Sequence, residues 1–138
     1  MERERIKSAP FSPALDLATG VPAYRQIIDQ VLGAIASGTL SGGDQLPTVR
    51  QLAVDLSINP NTVVRAYREL EIRGILTTQQ GIGTFVTTQP VPVDEAVRQR
   101  QLDQLIGDLL ARAGAAGLSA DEIVARLQEF INEQRGIS

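Results

Sequence analysis

Leu46-Pro47-Thr48-Val49-Arg50-Gln51-Leu52-Ala53-Val54-Asp55-Leu56-Ser57-Ile58-Asn59-Pro60-Asn61-Thr62-Val63-Val64-Arg65-Ala66-Tyr67-Arg68-Glu69-Leu70 is the stretch that decides the fold. It holds two helix starts in quick succession. Thr48 stands three residues before Gln51, the spacing of a capping box. Asn59 is a favoured N-cap, and Pro60 fits the first helical position because its missing N–H has no use there. The first helix turns Val49, Leu52, Ala53 and Leu56 inward. The second turns Val63, Ala66, Tyr67 and Leu70 inward and ends before Gly74. Ser57-Ile58 leaves room only for a tight connection, so the pair reads as a helix-turn-helix.

Upstream, Tyr24, Ile27, Ile28, Val31, Leu32 and Ile35 recur at i, i+3, i+4, i+7, i+8 and i+11, one face of a helix that starts near Pro22 and stops at Gly38. The stretch 39–45 is Gly-rich and reads as loop. Residues 1–21, punctuated by Pro10, Pro13 and Gly20, read as a poorly ordered lead-in. Downstream, Ile75-Leu76-Thr77-Thr78 and Gly83-Thr84-Phe85-Val86 flank Gln79-Gln80-Gly81-Ile82, the pattern of a hairpin. Pro90 and Pro92 mark a stiff linker. A fourth helix carries Leu102, Leu105, Ile106, Leu109, Leu110 and Ala113, with Gly114 and Gly117 breaking it. Ser119 and Glu122 form a second capping box, opening a fifth helix with Ile123, Leu127, Phe130 and Ile131. The expected fold is mainly α with a small β-hairpin: a winged helix-turn-helix followed by a short two-helix dimerisation hairpin. Its expected parts are a lead-in at 1–20, the winged module at 21–89, a linker at 90–93 and a helical dimerisation region at 94–138.

Composition narrows the chemistry. The 138 residues contain no Cys and no His, which removes thiol nucleophiles, disulfides, Cys/His zinc sites and histidine-based triads. No apolar run approaches the roughly 18 residues that span a bilayer, and the start of the chain has no secretory signal. The expectation is a cytoplasmic protein with no catalytic site, no cofactor, no metal and no membrane partner. Gly42-Gly43 lacks the Lys-Ser/Thr of a phosphate loop. Asp94-Glu95 and Asp121-Glu122 fall at helix starts, where the dipole favours acids, and read as caps. The net charge of −3 is unevenly spread. Residues 20–90 hold five bases and five acids, whereas 91–138 hold five bases and eight acids. DNA binding needs a local basic face and not a basic chain.

Once the apolar faces are buried, the start of the second helix of the motif presents Asn61, Thr62, Arg65 and Arg68, groups that bond bases or phosphates. Its free N–H groups and dipole also suit a phosphate. Arg50 lies in the first turn of the preceding helix, where a guanidinium can reach a base edge or phosphate. Gln80 and Gly81 at the hairpin tip have the polarity and small bulk to approach a minor groove. Taken alone, Arg65 and Arg68 also read as solvated surface, and Tyr24 and Tyr67 as core.

The blocks 46–53, Asn59-Pro60-Asn61-Thr62-Val63, Ala66-Tyr67-Arg68-Glu69-Leu70 with Gly74, and Gly81-Ile82-Gly83-Thr84-Phe85-Val86 together resemble the GntR family of bacterial regulators. Pro22-Ala23-Tyr24-Arg25-Gln26-Ile27 is similar to the first helix of the same family. The resemblance implies DNA contacts at Arg50, Asn59, Asn61 and Thr62 and from the wing tip near Gln80 and Gly81. Many members carry Arg where this chain has Pro60, and some where it has Val64, so those contacts are not implied here. Asn-Pro-Asn-Thr-Val is similar to the YtrA-type branch, in which a pair of helices after the wing serves to dimerise. The roughly 48 residues after the wing are too few for the larger effector domains of other branches.

Physics points the same way. A hairpin with aliphatic stripes on both helices cannot bury them completely within itself; a second copy would cover Leu102, Leu105, Ile106, Leu109, Leu110, Ile123, Leu127, Phe130 and Ile131, the alternative for the 102–110 stripe being packing on the winged module of the same chain. The expected partner is therefore a two-fold double-stranded DNA operator bound by a homodimer, in the manner of a repressor. The alternatives are a winged helix that docks on protein instead of DNA, and an enzyme using carboxylates with magnesium, for which the residues form no convergent site.

Overall fold

Helix boundaries in the computed structural model, which describes residues 11–88 and 94–136, follow the capping chemistry closely. Helix α1 spans Ala23–Ser37, α2 Val49–Leu56 and α3 Pro60–Ile72. Strands β1 (Leu76–Gln79) and β2 (Gly83–Val86) follow, then α4 (Glu95–Ala115) and α5 (Ala120–Arg135). The chain divides into two compact units, Met1–Gln89 and Pro90–Ser138. Residues 1–10 and the linker expected at 90–93 lie outside the described residues.

In the first unit, α1 and α2 both pack on α3. Ile27, Ile28 and Val31 of α1 meet Leu52 and Ala53 of α2 and Val63, Ala66, Tyr67 and Leu70 of α3 in one aliphatic core. Each large side chain buried there contributes about 1.5–3 kcal/mol. Thr48 caps α2 by accepting the Gln51 N–H at 3.0 Å. The reciprocal half of the expected box does not form, because Gln51 reaches forward to Asp55 at 2.8 Å. An amide side chain finds a better acceptor one turn ahead in a carboxylate. Asn59 caps α3, accepting the Asn61 N–H at 2.8 Å.

Between α2 and α3 the chain reverses through Ser57, whose φ of 57° is the one positive value at a non-glycine among the described residues. Ser57 N–H bonds the Val54 carbonyl at 3.1 Å and Ile58 N–H bonds the Ala53 carbonyl at 3.0 Å, closing the end of α2. Ile58 then packs against the core, which offsets the roughly 1–2 kcal/mol of a left-handed residue with a Cβ.

Two stretches differ from expectation. The part of the lead-in that is described is fastened to α1. Gln30 accepts the Ala14 N–H at 2.9 Å and donates to the Ala14 carbonyl at 2.6 Å. Gln26 accepts the Asp16 N–H at 2.8 Å and donates to the carbonyls of Asp16 and Val21. A glutamine amide carries the same donor and acceptor as a peptide group, so two of them spaced one helical turn apart act as a partner strand. Phe11 and Leu15 rest partly buried on the core, and a short 3₁₀ turn covers Leu17–Thr19.

The expected loop at 39–45 also does more than connect. Leu40 and Leu46 are buried, and Gln45 bridges to Phe85 in antiparallel fashion. Leu46 N–H bonds the Thr84 carbonyl, Val86 N–H the Asp44 carbonyl and Gly43 N–H the Val86 carbonyl, each at 2.8 Å. The hairpin β1–β2, registered Leu76↔Val86 to Gln79↔Gly83, thus gains an isolated antiparallel bridge and three backbone bonds on the free edge of β2.

The second unit has well-made helix starts and little interior. Asp94 caps α4 at the N–H groups of Ala96 and Val97. Gly114 does not break α4, which runs on to Ala115; the turn comes at Gly117, with φ of 78°. Ser119 and Glu122 form the full reciprocal capping box at 2.9 and 3.1 Å. The Ser119 backbone N–H, then its hydroxyl side, hold the Glu122 carboxyl below its ordinary range. Among the described residues of this unit Ala113 alone is buried.

Tyr67 Oη donates to the Pro47 carbonyl at 2.7 Å, and burial pushes its phenol well above its ordinary value. Tyr67→Phe should cost about 1 kcal/mol, read as a lower urea midpoint. A raised phenol pKa means stability that is complete below about pH 10 and is lost as pH rises beyond it. The wild-type chain should therefore weaken above about pH 10 more steeply than Tyr67→Phe; parallel curves would show that Tyr67 does not set the alkaline limb.

Candidate nucleic-acid interface

With Val63, Ala66, Tyr67 and Leu70 turned inward, α3 presents Asn61, Arg65, Arg68 and Ile72 as an exposed stripe, flanked by half-buried Val64 and Glu69. Thr62 is half-buried at the side of the same first turn. Arg50 is exposed on the second residue of α2. The bond from Tyr67 to Pro47 ties the start of α2 to the middle of α3, so Arg50 is indexed to the α3 stripe by the core itself.

The N-terminus of α3 has fewer free donors than expected. Pro60 has none, the Asn61 N–H is taken by the Asn59 side chain, and the Thr62 N–H bonds the Asn59 carbonyl at 2.9 Å. A phosphate at this end has to be met mainly by side chains. Asn59 spends its side-chain oxygen on the cap and retains its amide N–H₂ for any further contact. Arg65 lies with its guanidinium 3.7 Å from the centre of the Tyr24 ring.

Charge is sorted within this unit. Glu69 is paired with Arg73 at 3.1 Å, Glu71 accepts from the Thr78 hydroxyl, Asp55 accepts from Gln51 and Asp44 accepts the Ser41 N–H. Among the described residues, Arg50, Arg65 and Arg68 have no carboxylate partner. Equal numbers of acids and bases therefore leave a net positive outer face on α3 and the start of α2.

At the wing tip Gln80 and Gly81 are exposed, and Gly81 takes a left-handed turn with φ of 76°. Ile82, 65% exposed, shares the tip and was not marked by any periodicity. Gln45, the residue bridged to Phe85, braces it by donating through Nε2 to the Ile82 carbonyl at 3.2 Å. Gly83 makes that brace possible: at φ of 148°, a Cβ there would stand 2.4 Å from Gln45 Nε2. Sequence reasoning missed Gln45 and Ile82, together with Val64 and Ile72 on the α3 stripe. An apolar residue out of phase with the buried face was the available signal for Val64 and Ile72. No helix among the described residues is long and apolar enough to cross a membrane, and no group of acids there is arranged to hold a metal.

A three-helix core closed by a two-stranded wing, with an arginine-bearing second helix of the motif turned outward, defines a winged helix-turn-helix of the kind transcription regulators lay on DNA. Residues 23–86 match the gntR family of bacterial regulatory proteins. The HTH-type transcriptional repressor YtrA of Bacillus subtilis is 36% identical over 126 residues, covering 88% of this chain and 94% of that protein. The HTH-type transcriptional regulator YhcF of the same organism is 33% identical over 109 residues, covering 79% and 89%. A solved structure described as a transcriptional antiterminator from Listeria monocytogenes superimposes with a TM-score of 0.64 at 25% identity, over 94% of this chain and 95% of that one. This chain belongs to the GntR family, with YtrA among its near relatives. It is a DNA-binding transcription regulator.

Gly83→Ala should displace Gln45 and strain the backbone, costing roughly 1–3 kcal/mol. A urea midpoint equal to wild type would show that the wing tip does not depend on this close approach.

Proposed function

We propose that the chain is a repressor that works in the cytoplasm as a homodimer, each protomer reading one half of a two-fold DNA operator. The observation that carries this reading is the outer face of α3, where Asn61 and Arg68 stand exposed, as Arg50 does on α2, with no carboxylate partner for these arginines among the described residues. α3 enters the major groove N-terminus first; Asn61 and Thr62 meet base edges, and Arg50 meets a base edge or phosphate at the groove wall. Arg65 and Arg68 bind backbone phosphates on either side. Gln80 and Gly81 approach the adjacent minor groove, where the left-handed glycine brings the backbone close. Asn59 sets the direction of the helix start and adds its free amide.

The dimer reading rests on α4 and α5. Leu102, Leu105, Ile106, Leu109 and Leu110 are exposed on α4, as are Leu127 and Phe130 on α5, while Ile123 and Ile131 are half-buried. A face this large and aliphatic is stable in water only when covered. A second copy covers it symmetrically and fixes the distance between the two reading heads. Two weak half-site readers then act at high effective concentration.

The test is fluorescence anisotropy of the full chain on DNA from immediately upstream of its own gene, against a scrambled duplex, through a salt series. The expected outcome is preference for the upstream DNA, saturation at two protomers per site and a steep negative salt dependence. Arg50→Ala should weaken binding by roughly tenfold or more with an unchanged thermal midpoint. Absence of binding to any DNA at low salt by the folded chain would replace this reading with docking on a protein partner. In sedimentation, Leu105→Asp combined with Leu109→Asp should convert a dimer to a monomer; a dimer that persists would refute the role given to α4.

A further inference from the structure

Arg65 is held in an unusual way for a long, exposed cation on a reading helix. Its guanidinium carbon sits over the Tyr24 ring, 3.7 Å from the centroid, the separation of a stacked pair. Tyr24 belongs to the first turn of α1 and is itself half-buried against the aliphatic core. The ring is thus a fixed platform, because the helices that carry it and Arg65, α1 and α3, pack directly on each other. Stacking uses the face of a guanidinium and leaves the N–H donors in its plane free. Among the described residues no carboxylate meets those donors. Arg65 also stands one turn beyond Asn61 on the exposed stripe, on the flank of α3 turned toward α1.

We infer that Tyr24 is a positioning residue for DNA binding: its ring fixes the Arg65 guanidinium so that the in-plane donors meet one backbone phosphate at the edge of the groove. A free arginine gives up several rotatable bonds when it clasps a phosphate, and a stacked one has given up most of them beforehand. The aromatic face attracts the cation without neutralising it, so the full charge remains for the phosphate. A carboxylate in the same place would hold Arg65 equally still and cancel its value to DNA. The partner chemistry is a phosphodiester, not a base edge, since Arg65 is drawn to the flank of the helix. This inference rests on the DNA-binding reading above.

The experiment uses the full chain and a duplex chosen by the wild-type protein from a random-sequence pool. Affinity and the slope of log K against log salt are measured for wild type, Tyr24→Phe, Tyr24→Leu, Arg65→Ala and the double variant Tyr24→Leu with Arg65→Ala. Each phosphate contact contributes about 0.9 to that slope, so a dimer lacking Arg65 should lose about twice as much. Arg65→Ala should bind roughly tenfold more weakly. Tyr24→Leu should lose affinity and slope in the same direction although no charge has been removed. Tyr24→Phe, which keeps the ring, should retain both. In the Arg65→Ala background, Tyr24→Leu should have no further effect. A purely structural Tyr24 would instead lower affinity equally in both backgrounds and leave the slope at its wild-type value; that result overturns the inference while the DNA-binding reading stands. An Arg65→Ala chain with the wild-type slope overturns it as well. Selection of no duplex by the wild-type chain would overturn both. Thermal midpoints of all five proteins separate lost contact from lost fold.

Discussion

The inner face of α3 is the constraint from which the first unit is built. Val63, Ala66 and Leu70 are fully buried, and α1 and α2 close on them from two sides. Tyr67 adds direction to this apolar contact, because its hydroxyl has to find an acceptor and does so at Pro47, just before α2. One hydrogen bond therefore converts helix packing into a defined angle between the two helices of the motif. The outer stripe of α3, the position of Arg50 and the platform under Arg65 are all downstream of that arrangement. The wing depends on it too, since Ile75 closes the end of α3 by bonding the Leu70 carbonyl at 2.9 Å.

The legible parts of the fold were those written in local chemistry. Apolar spacing on α1 and α3, Asn59-Pro60 and the Ser119–Glu122 box each act over a few residues, and each appears where its local rule puts it. The parts that could not be read are non-local. Gln26 and Gln30 look like solvent-facing positions until residues 14–21 lie beside them. The bridge at Gln45 is too short to show alternation and exists because β2 offers a free edge. At Ser57 no glycine announced the left-handed turn; the burial of Ile58 imposes it. At the interface, the polar residues were legible because they break the apolar period of their helix. Tyr24 was readable only as core, since its ring packs against the interior as well as lying under Arg65.

Local sorting of charge explains how an acidic chain carries a DNA-binding surface. At 0.1–0.15 M salt, fields fade over about 10 Å, so a groove-facing helix responds to its own neighbours more than to distant acids. In the first unit the carboxylates of Asp44, Asp55, Glu69 and Glu71 are occupied by backbone, glutamine, arginine and threonine partners of their own. The surplus of acids lies beyond the wing, on helices that carry the aliphatic stripes.

Those last two helices have a property that the winged module lacks. A domain with its own interior has a melting temperature of its own, because intramolecular burial does not depend on how many copies are present. The α4–α5 hairpin, with Ala113 its one buried side chain among the described residues, has no such private reserve. Its stability is a mass-action quantity, rising with the concentration of whatever covers the stripes. If a second copy is that cover, as proposed above, dilution and heat become interchangeable ways of opening the hairpin.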